Sequence, residues 1–296
     1  MRKFAFVWSI LLFTIPLFCE TPEEFIKGTA EEILTEYSKP LVTAFGTAMG
    51  TDFIDRKHHG CLGFDLDVKL SWISIPEKAK TATYKIVVGD TVWIGTDTPI
   101  TDTVFEGNTI FGGSEPLLND PIGLKGLDLP GIPFAVPQVN IGLGKGLNVS
   151  VRWVPFQLKG TSGQIFGAGL KYATDDYLPV PMFSLNFIAG VGYQYFQFGD
   201  ITGTNNINGT VLAKLGISPP LLPLSFSPFV GVGMENTSMN FKYDYEGINI
   251  DKTIKGNNTF RGVVGLGIDF LLFNVDISYN IGKMNAIGLG IGVGIR

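Results

Sequence analysis

The chain has 296 residues, 45% of them apolar and only 17% charged, with a net charge of −5 and a mean hydropathy of +0.26. An average soluble domain carries about 25% charged residues. So hydrophobic and charge-poor a chain is not disordered. With no basic run after Lys3 it also lacks the clustered cations that nucleic-acid binding needs.

The N-terminus, residues 1–19, reads as a secretory signal. Arg2 and Lys3 precede the apolar run "FAFVWSILLFTIPLF". Cleavage after Cys19 is expected. Lipid attachment at Cys19 is the alternative, against which stands Phe18, where a small residue is favoured. Loss of Cys19 leaves Cys61 without an intrachain partner. Beyond the signal no apolar run is long enough for a helical span.

Residues 20–60 read as a helical segment. Thr21 and Pro22, with Glu24 three after the cap, start a helix, and Ile26, Ala30, Ile33 and Tyr37 continue it. Pro40 is expected to interrupt it before a second short helix in "PLVTAFGTAMG", rich in small residues and ending at Gly50. The next histidines, His58 and His59, have no metal-ligand spacing around them and read as a solvated turn before the first strand.

After Gly60 the period of the apolar residues changes from 3.6 to 2. In "LGFDLDVKLSW" Leu62, Phe64, Leu66, Val68, Leu70 and Trp72 share one face, opposite Gly63, Asp65, Asp67, Lys69 and Ser71. The same alternation marks strands near 147–153, 166–172, 183–195, 260–270, 273–281 and 287–295, and more weakly near 136–143, 207–218 and 225–235. One face is uniformly apolar; the other is polar or glycine and too poor in charge for the outside of a soluble sandwich. A transmembrane barrel inverts that layout, with grease toward lipid and polar groups in the lumen, and it must close because lipid satisfies no free strand edge. The expected fold is all-β: an antiparallel transmembrane β-barrel of 10–12 strands over 61–296, with an N-terminal helical plug or cap. Placing the mature N-terminus in the periplasm puts the longest connections, 76–135 and 236–257, outside the cell. A hairpin of 84–94 with 101–106 raises the count to twelve if it joins the wall.

The final strand "AIGLGIGVGI" carries Gly288, Gly290, Gly292 and Gly294 on its inner face. Such a bare surface allows close backbone approach. Either the N-terminal segment packs there or the glycines serve curvature alone. Asp65, Asp67, Lys69, Arg152, Lys171, Lys214, Glu235, Arg261, Asp269 and Asp276 are all expected on lumen faces. Enclosed charges need partners. They read as a salt-bridge network bracing wall and plug, with a polar pathway as the alternative. No catalytic constellation, cofactor site or metal site is expected. Both histidines precede the first strand, and no G-x-S-x-G motif occurs. "GLGKG" sits at a hairpin turn rather than before a helix. The N-x-S/T sequences at Asn148 and Asn208 read as chance matches.

The motifs "YSKPLVTAFGTAMG", "LGFDLDVKLSWISIPE", "TIFGG", "LPGIPFAVPQVNIGLGKGLNVSVRWVP" and "GAGLKY", with "LPVPMFSLNFIAGVGYQYF", span most of residues 30–200. They resemble an uncharacterised family of Gram-negative, Bacteroidota-type outer-membrane barrel proteins of unknown function. A looser similarity is to the long-chain fatty-acid transporter barrels, which carry an N-terminal helical plug. The resemblance implies residence in the outer membrane of a Gram-negative bacterium, with outer-membrane lipid and the barrel-assembly machinery as partners. The chain departs from such barrels in finishing Ile295-Arg296 rather than on an aromatic residue. The expected function is passive passage of small, hydrophobic molecules, with a plug and small lateral openings setting selectivity. The alternative is a structural or surface-exposed barrel whose outer loops bind other molecules.

Overall fold

The computed structural model describes residues 27–86, 103–158, 160–174, 182–245 and 248–295; the signal and the helix start at Thr21 lie outside them. A helix, α1 (Lys27–Gly50), precedes thirteen strands: β1 (Phe64–Ser74), β2 (Thr81–Ile86), β3 (Thr103–Asn108), β4 (Gly131–Gly144), β5 (Leu147–Leu158), β6 (Thr161–Ala173), β7 (Phe183–Phe198), β8 (Thr202–Ile217), β9 (Leu224–Tyr245), β10 (Ile248–Lys255), β11 (Phe260–Phe270), β12 (Phe273–Ile281) and β13 (Ala286–Ile295).

Ten strands form the wall, each antiparallel to its neighbours: β1, β4 to β9, and β11 to β13. The ring closes where β1 meets β13, from Phe64↔Ile295 to Ile73↔Ala286. Each expected strand is present. The hairpin β2–β3 pairs only with itself, so it does not raise the count. β9, paired with β8 along one edge, is long enough to serve two partners on the other. Its first half pairs with β11, and its second half rises beyond the wall to pair with β10. Connections at 144–146, 218–223 and 271–272 are short, whereas both hairpins project from the opposite, long-loop end.

The alternation sorts as a membrane barrel requires. Val68, Val191, Val211, Val232, Leu266 and Ile291 are exposed around the outside, while Asp67, Lys171, Asn208, Arg261 and Asp276 are buried inside. Exposed aromatics mark both ends of the apolar band: Phe64, Tyr172, Phe183 and Phe273 near the short turns, and Trp72, Trp153, Phe260 and Tyr279 toward the long loops. No helix among the described residues is long and apolar enough to cross a membrane. The strands do the crossing.

Two expectations about the N-terminal segment need correction. First, α1 runs unbroken through Pro40. An internal proline costs a helix about 3 kcal/mol. Leu41, Val42, Phe45 and Met49 just beyond it are buried, and each buried apolar side chain returns about 1.5–3 kcal/mol. Second, α1 begins at the long-loop end and not among the short turns. The Ile110 N–H donates to Tyr37 O at 3.2 Å, the Tyr37 hydroxyl donates to Lys125 O at 2.8 Å, and Lys252 pairs with Glu31 at 3.0 Å. Burial pushes the Tyr37 phenol up to about 12, so it remains a donor at neutral pH. From there the chain descends the whole lumen and enters β1 at the short-turn end, where Gly63 lies against the Ile295 carbonyl.

An arginine on the outer face must enter hydrocarbon. Replacing Ile291, exposed midway along β13, by arginine is expected to destabilise the barrel by about 2–4 kcal/mol. Denaturant unfolding in lipid vesicles measures this, and an unchanged midpoint would contradict the outward orientation.

Candidate functional site

The lumen is filled by the chain's own residues, in two layers of opposite chemistry. Toward the long loops it is apolar. Phe45 of α1 meets Phe196 with ring centroids 5.1 Å apart, among Ile132, Phe134, Val136, Ile165, Phe198 and Met239, all buried in one cluster that Val154 and Phe156 adjoin. Toward the short turns it is ionic, because "TDFIDRKHHG" after Gly50 brings Asp52, Asp55, Arg56 and Lys57 inside, with His59 beside them.

Each of those charges meets a wall charge or a polar wall group. Asp55 accepts from Lys171 and, at 2.8 Å, from Lys69. Arg56 bridges Asp269 at 2.9 Å and Asp276 at 2.5 Å. Lys57 is bonded to Asp67, lies 3.3 Å from Asp65, and donates to Asn274 at 3.1 Å. Asp52 accepts from the Ser278 hydroxyl at 2.7 Å. His59 Nε2 lies 2.7 Å from Asp65, while its Nδ1 makes no hydrogen bond. His59 is therefore buried in the lumen rather than in a solvated turn, and His58 Nδ1 lies 3.3 Å from Lys214. The Asp65–His59 pair does not continue to a nucleophile as a catalytic triad would. Among the described residues no group of three ligating side chains is placed to hold a metal.

All ten charged positions expected in the lumen are buried. Asp65, Asp67, Lys69, Lys171, Asp269 and Asp276 surround the 55–59 stretch. Higher up, Arg261 donates to Gly50 O at 2.7 Å and lies 3.5 Å from Glu235. Arg152 donates to Met49 O at 2.9 Å and to Gln138 Oε1 at 2.7 Å, with its guanidinium carbon 4.7 Å from the Phe53 ring centre. Lys214 Nζ lies 3.3 Å from His58 Nδ1. Arg56 and Lys57, the cations that tie the plug, were missed in the sequence reading; the unbroken charge run ahead of β1 was their signal. Asn148 and Asn208 are buried in the lumen, so neither is a surface sugar acceptor.

The bare inner face of β13 makes room chiefly for wall side chains that reach the plug. A Cβ at Gly288 would collide with Asp52 of the plug itself. At Gly292 it would strike Asp67, at Gly294 it would meet Asp65, and at Gly290 it would crowd Lys69 at 3.1 Å. Further fits to the plug lie elsewhere. Gly267 of β11 faces the Arg56 guanidinium, and Gly167, Gly169 and Gly192 form a socket for the Phe53 ring. A space of about one water molecule lies between Asp52, Arg261, Asp276 and Asn280.

The wall has a partly unzipped seam between β4 and β5. β4 pairs with β1 along its whole length, but its pairing with β5 stops at Val139↔Val151. Gly131–Gln138 and Arg152–Leu158 have no ladder partner across that seam. Two bonds set the phase of the ladder: Ile75 N–H donates to Pro130 O, and Gly142 N–H to Gly63 O. Even-numbered residues of β4 therefore bond to β1, and odd-numbered ones face β5. The donation from Ala173 N–H to Gly146 O likewise turns the odd-numbered residues of β5 toward β4. Pro133, Pro137 and Pro155 all fall on these facing edges. Proline has no N–H, so an edge built from it leaves fewer donors unsatisfied. The apolar upper lumen lies directly behind the seam: Ile132, Phe134 and Val136 of β4, with Val154 and Phe156 of β5.

Comparison with known proteins adds a family. The translocator domain of autotransporter NalP from Neisseria meningitidis is 12% identical, with a TM-score of 0.34, covering 86% of this chain and 99% of that one. The transport unit of the autotransporter AIDA-I from Escherichia coli is 9% identical, with a TM-score of 0.36, covering 88% and 99%. The outer membrane protease OmpT from Escherichia coli is 7% identical, with a TM-score of 0.34, covering 78% and 94%. These likenesses carry no activity to this chain, and the closed barrel rests on its own strand register. No curated protein matches it. Residues 1–295 match the family of unknown function DUF6588, and the chain belongs to that family.

Proposed function

We propose that this protein is an outer-membrane barrel that passes small apolar molecules sideways, between its long-loop end and the surrounding lipid. The long loops face the exterior and the short turns the periplasm, the arrangement bacterial barrels favour. The observation that carries the reading is the seam where β4 and β5 part at Val139↔Val151, with apolar side chains behind it. An apolar molecule taken up beside Phe45, Phe134 and Phe156 gains roughly 0.8 kcal/mol per buried methylene and leaves between the strands into hydrocarbon. The straight route down the barrel is far costlier. It requires separating Asp55, Arg56 and Lys57 from their partners, and breaking one buried ion pair costs about 3–5 kcal/mol. The ionic layer thus acts as a floor and the seam as a side door. The looser similarity to fatty-acid transporter barrels carries no weight here.

A second reading rests on the filled lumen: the barrel is an anchor that holds the β2–β3 and β9–β10 hairpins at the surface for other molecules to bind. Closing the seam separates the two. A bifunctional thiol reagent joining Ala135→Cys to Pro155→Cys, positions opposite one another if the ladder continued in register, is expected to slow entry of an apolar fluorophore into proteoliposomes severalfold. Reduction should restore it. The same cross-link between Ile141→Cys and Val149→Cys, in the zipped part, should leave uptake unchanged. Equal uptake in all forms would favour the anchor.

The floor has its own test. Asp55→Asn leaves Lys69 and Lys171 facing a neutral amide, and the barrel is expected to lose about 3–5 kcal/mol. The change appears as a lower temperature for the heat-induced mobility shift on gels. A shift unchanged from wild type would show that these pairs do not hold the plug.

A further inference from the structure

We infer that two leucine-bearing turns at the short-turn end enter the lipid leaflet there, so that the barrel grips the membrane more deeply on one side than on the other. The first turn, "SPPLLP" from Ser218 to Pro223, joins β8 to β9. The second, Leu271 and Leu272, joins β11 to β12. Leu221 is 93% exposed and Leu271 66%, and Leu222 and Leu272 are exposed beside them. Neither turn carries a charged residue. The two turns form one patch, because the Leu271 N–H donates to Pro223 O at 3.3 Å. Leu271 is held at φ 53°, in a two-residue hairpin turn of the kind that ordinarily takes glycine or asparagine. A large apolar side chain thus stands where turn geometry favours a small or polar one.

The occupant of this patch is the acyl chains of phospholipid, for two reasons. The first is continuity with the band that faces lipid. Leu224 and Phe270 pair across the β9–β11 ladder immediately before the turns. From Leu224 to Met234 the outward residues of β9 are apolar throughout, which already meets the roughly 9–11 residues that a tilted strand needs to cross. The turn leucines extend the apolar surface beyond that length. The second reason is the backbone. Pro219, Pro220 and Pro223 have no N–H to leave unsatisfied. The Ser218 N–H donates to Met182 O at 2.9 Å and the Leu222 N–H to Pro219 O at 3.3 Å, while Leu272 O accepts from the Gly294 N–H at 2.8 Å. Hydrocarbon accepts a backbone whose polar groups are missing or already bonded. The β4–β5 turn offers the contrast, since Lys145 stands exposed there between Gly144 and Gly146. Its ammonium keeps that turn in water or among headgroups. This one-sided grip is independent of the proposed passage and of which way the barrel faces.

Fluorescence quenching tests it. Three versions of the full-length protein each carry one cysteine, Leu221→Cys, Leu272→Cys or Lys145→Cys, with the native cysteines replaced by serine. Each is labelled with an environment-sensitive fluorophore and reconstituted into phosphatidylcholine vesicles, and the heat-induced gel shift shows that it is folded. Quenching by a nitroxide on the upper acyl chain is compared with quenching by iodide in water on both sides of the vesicle. The labels at Leu221→Cys and Leu272→Cys are expected to be quenched by the lipid nitroxide at least threefold more than the label at Lys145→Cys, and by iodide at least threefold less. Equal quenching at all three positions, whether by lipid or by iodide, overturns the inference. Labels at Leu221→Cys and Leu272→Cys shielded from both quenchers also overturn it, since protein, a second copy of the chain included, then covers the patch.

Discussion

The structure depends on one electrostatic constraint: charges drawn into the lumen must find partners there. Asp55, Arg56 and Lys57 enter on a single stretch, with the His59 ring beside them, and the wall answers with Lys69, Lys171, Asp269, Asp276, Asp67 and Asp65. Unpaired, any one of these ions would cost several kcal/mol in so dry a setting. Paired, they fix the height and rotation of the plug, because each partner comes from a different strand. The glycines of β6, β7, β11 and β13 are the geometric side of the same constraint. They make space for Phe53, the Arg56 guanidinium and the wall carboxylates where any larger residue would collide.

This arrangement divides the barrel by depth. The ionic layer closes the short-turn half. The long-loop half is a conventional hydrophobic core built from α1, the hairpins and the inward residues of β4 to β7. The seam between β4 and β5 opens onto the second layer and not the first. Arg152 bridging to Gln138 at 2.7 Å marks the boundary. The backbone ladder closes the wall below it, and above it the facing edges carry Pro133, Pro137 and Pro155. On the proposed route, an apolar solute and the ionic plug need never meet.

Much of this was legible in the residues. Alternation with a period of two located all ten wall strands, and the rarity of charge on their polar faces pointed to an enclosed lumen rather than a watery exterior. The charged lumen positions followed from the same parity. What was not legible depends on pairing across the ring. That Arg56 meets Asp269 and Asp276 is a matter of register between residues more than 200 positions apart. Pro133, Pro137 and Pro155 stood in plain view, but their meaning appears only when ladder phase shows that they share one seam. Pro40 misled because local helix rules were applied where tertiary burial decides. The direction of threading was misjudged because alternation of the strands fixes which connections lie together and is silent about where a lumenal helix starts.

The central claim is that the plug, locked by its ion pairs, leaves no water-filled route along the barrel axis. Electrical conductance of the purified full-length protein in planar lipid bilayers at neutral pH tests this most directly. The account predicts insertions with no steady current above the bare-bilayer baseline; a stable, ohmic conductance in most insertions would contradict it.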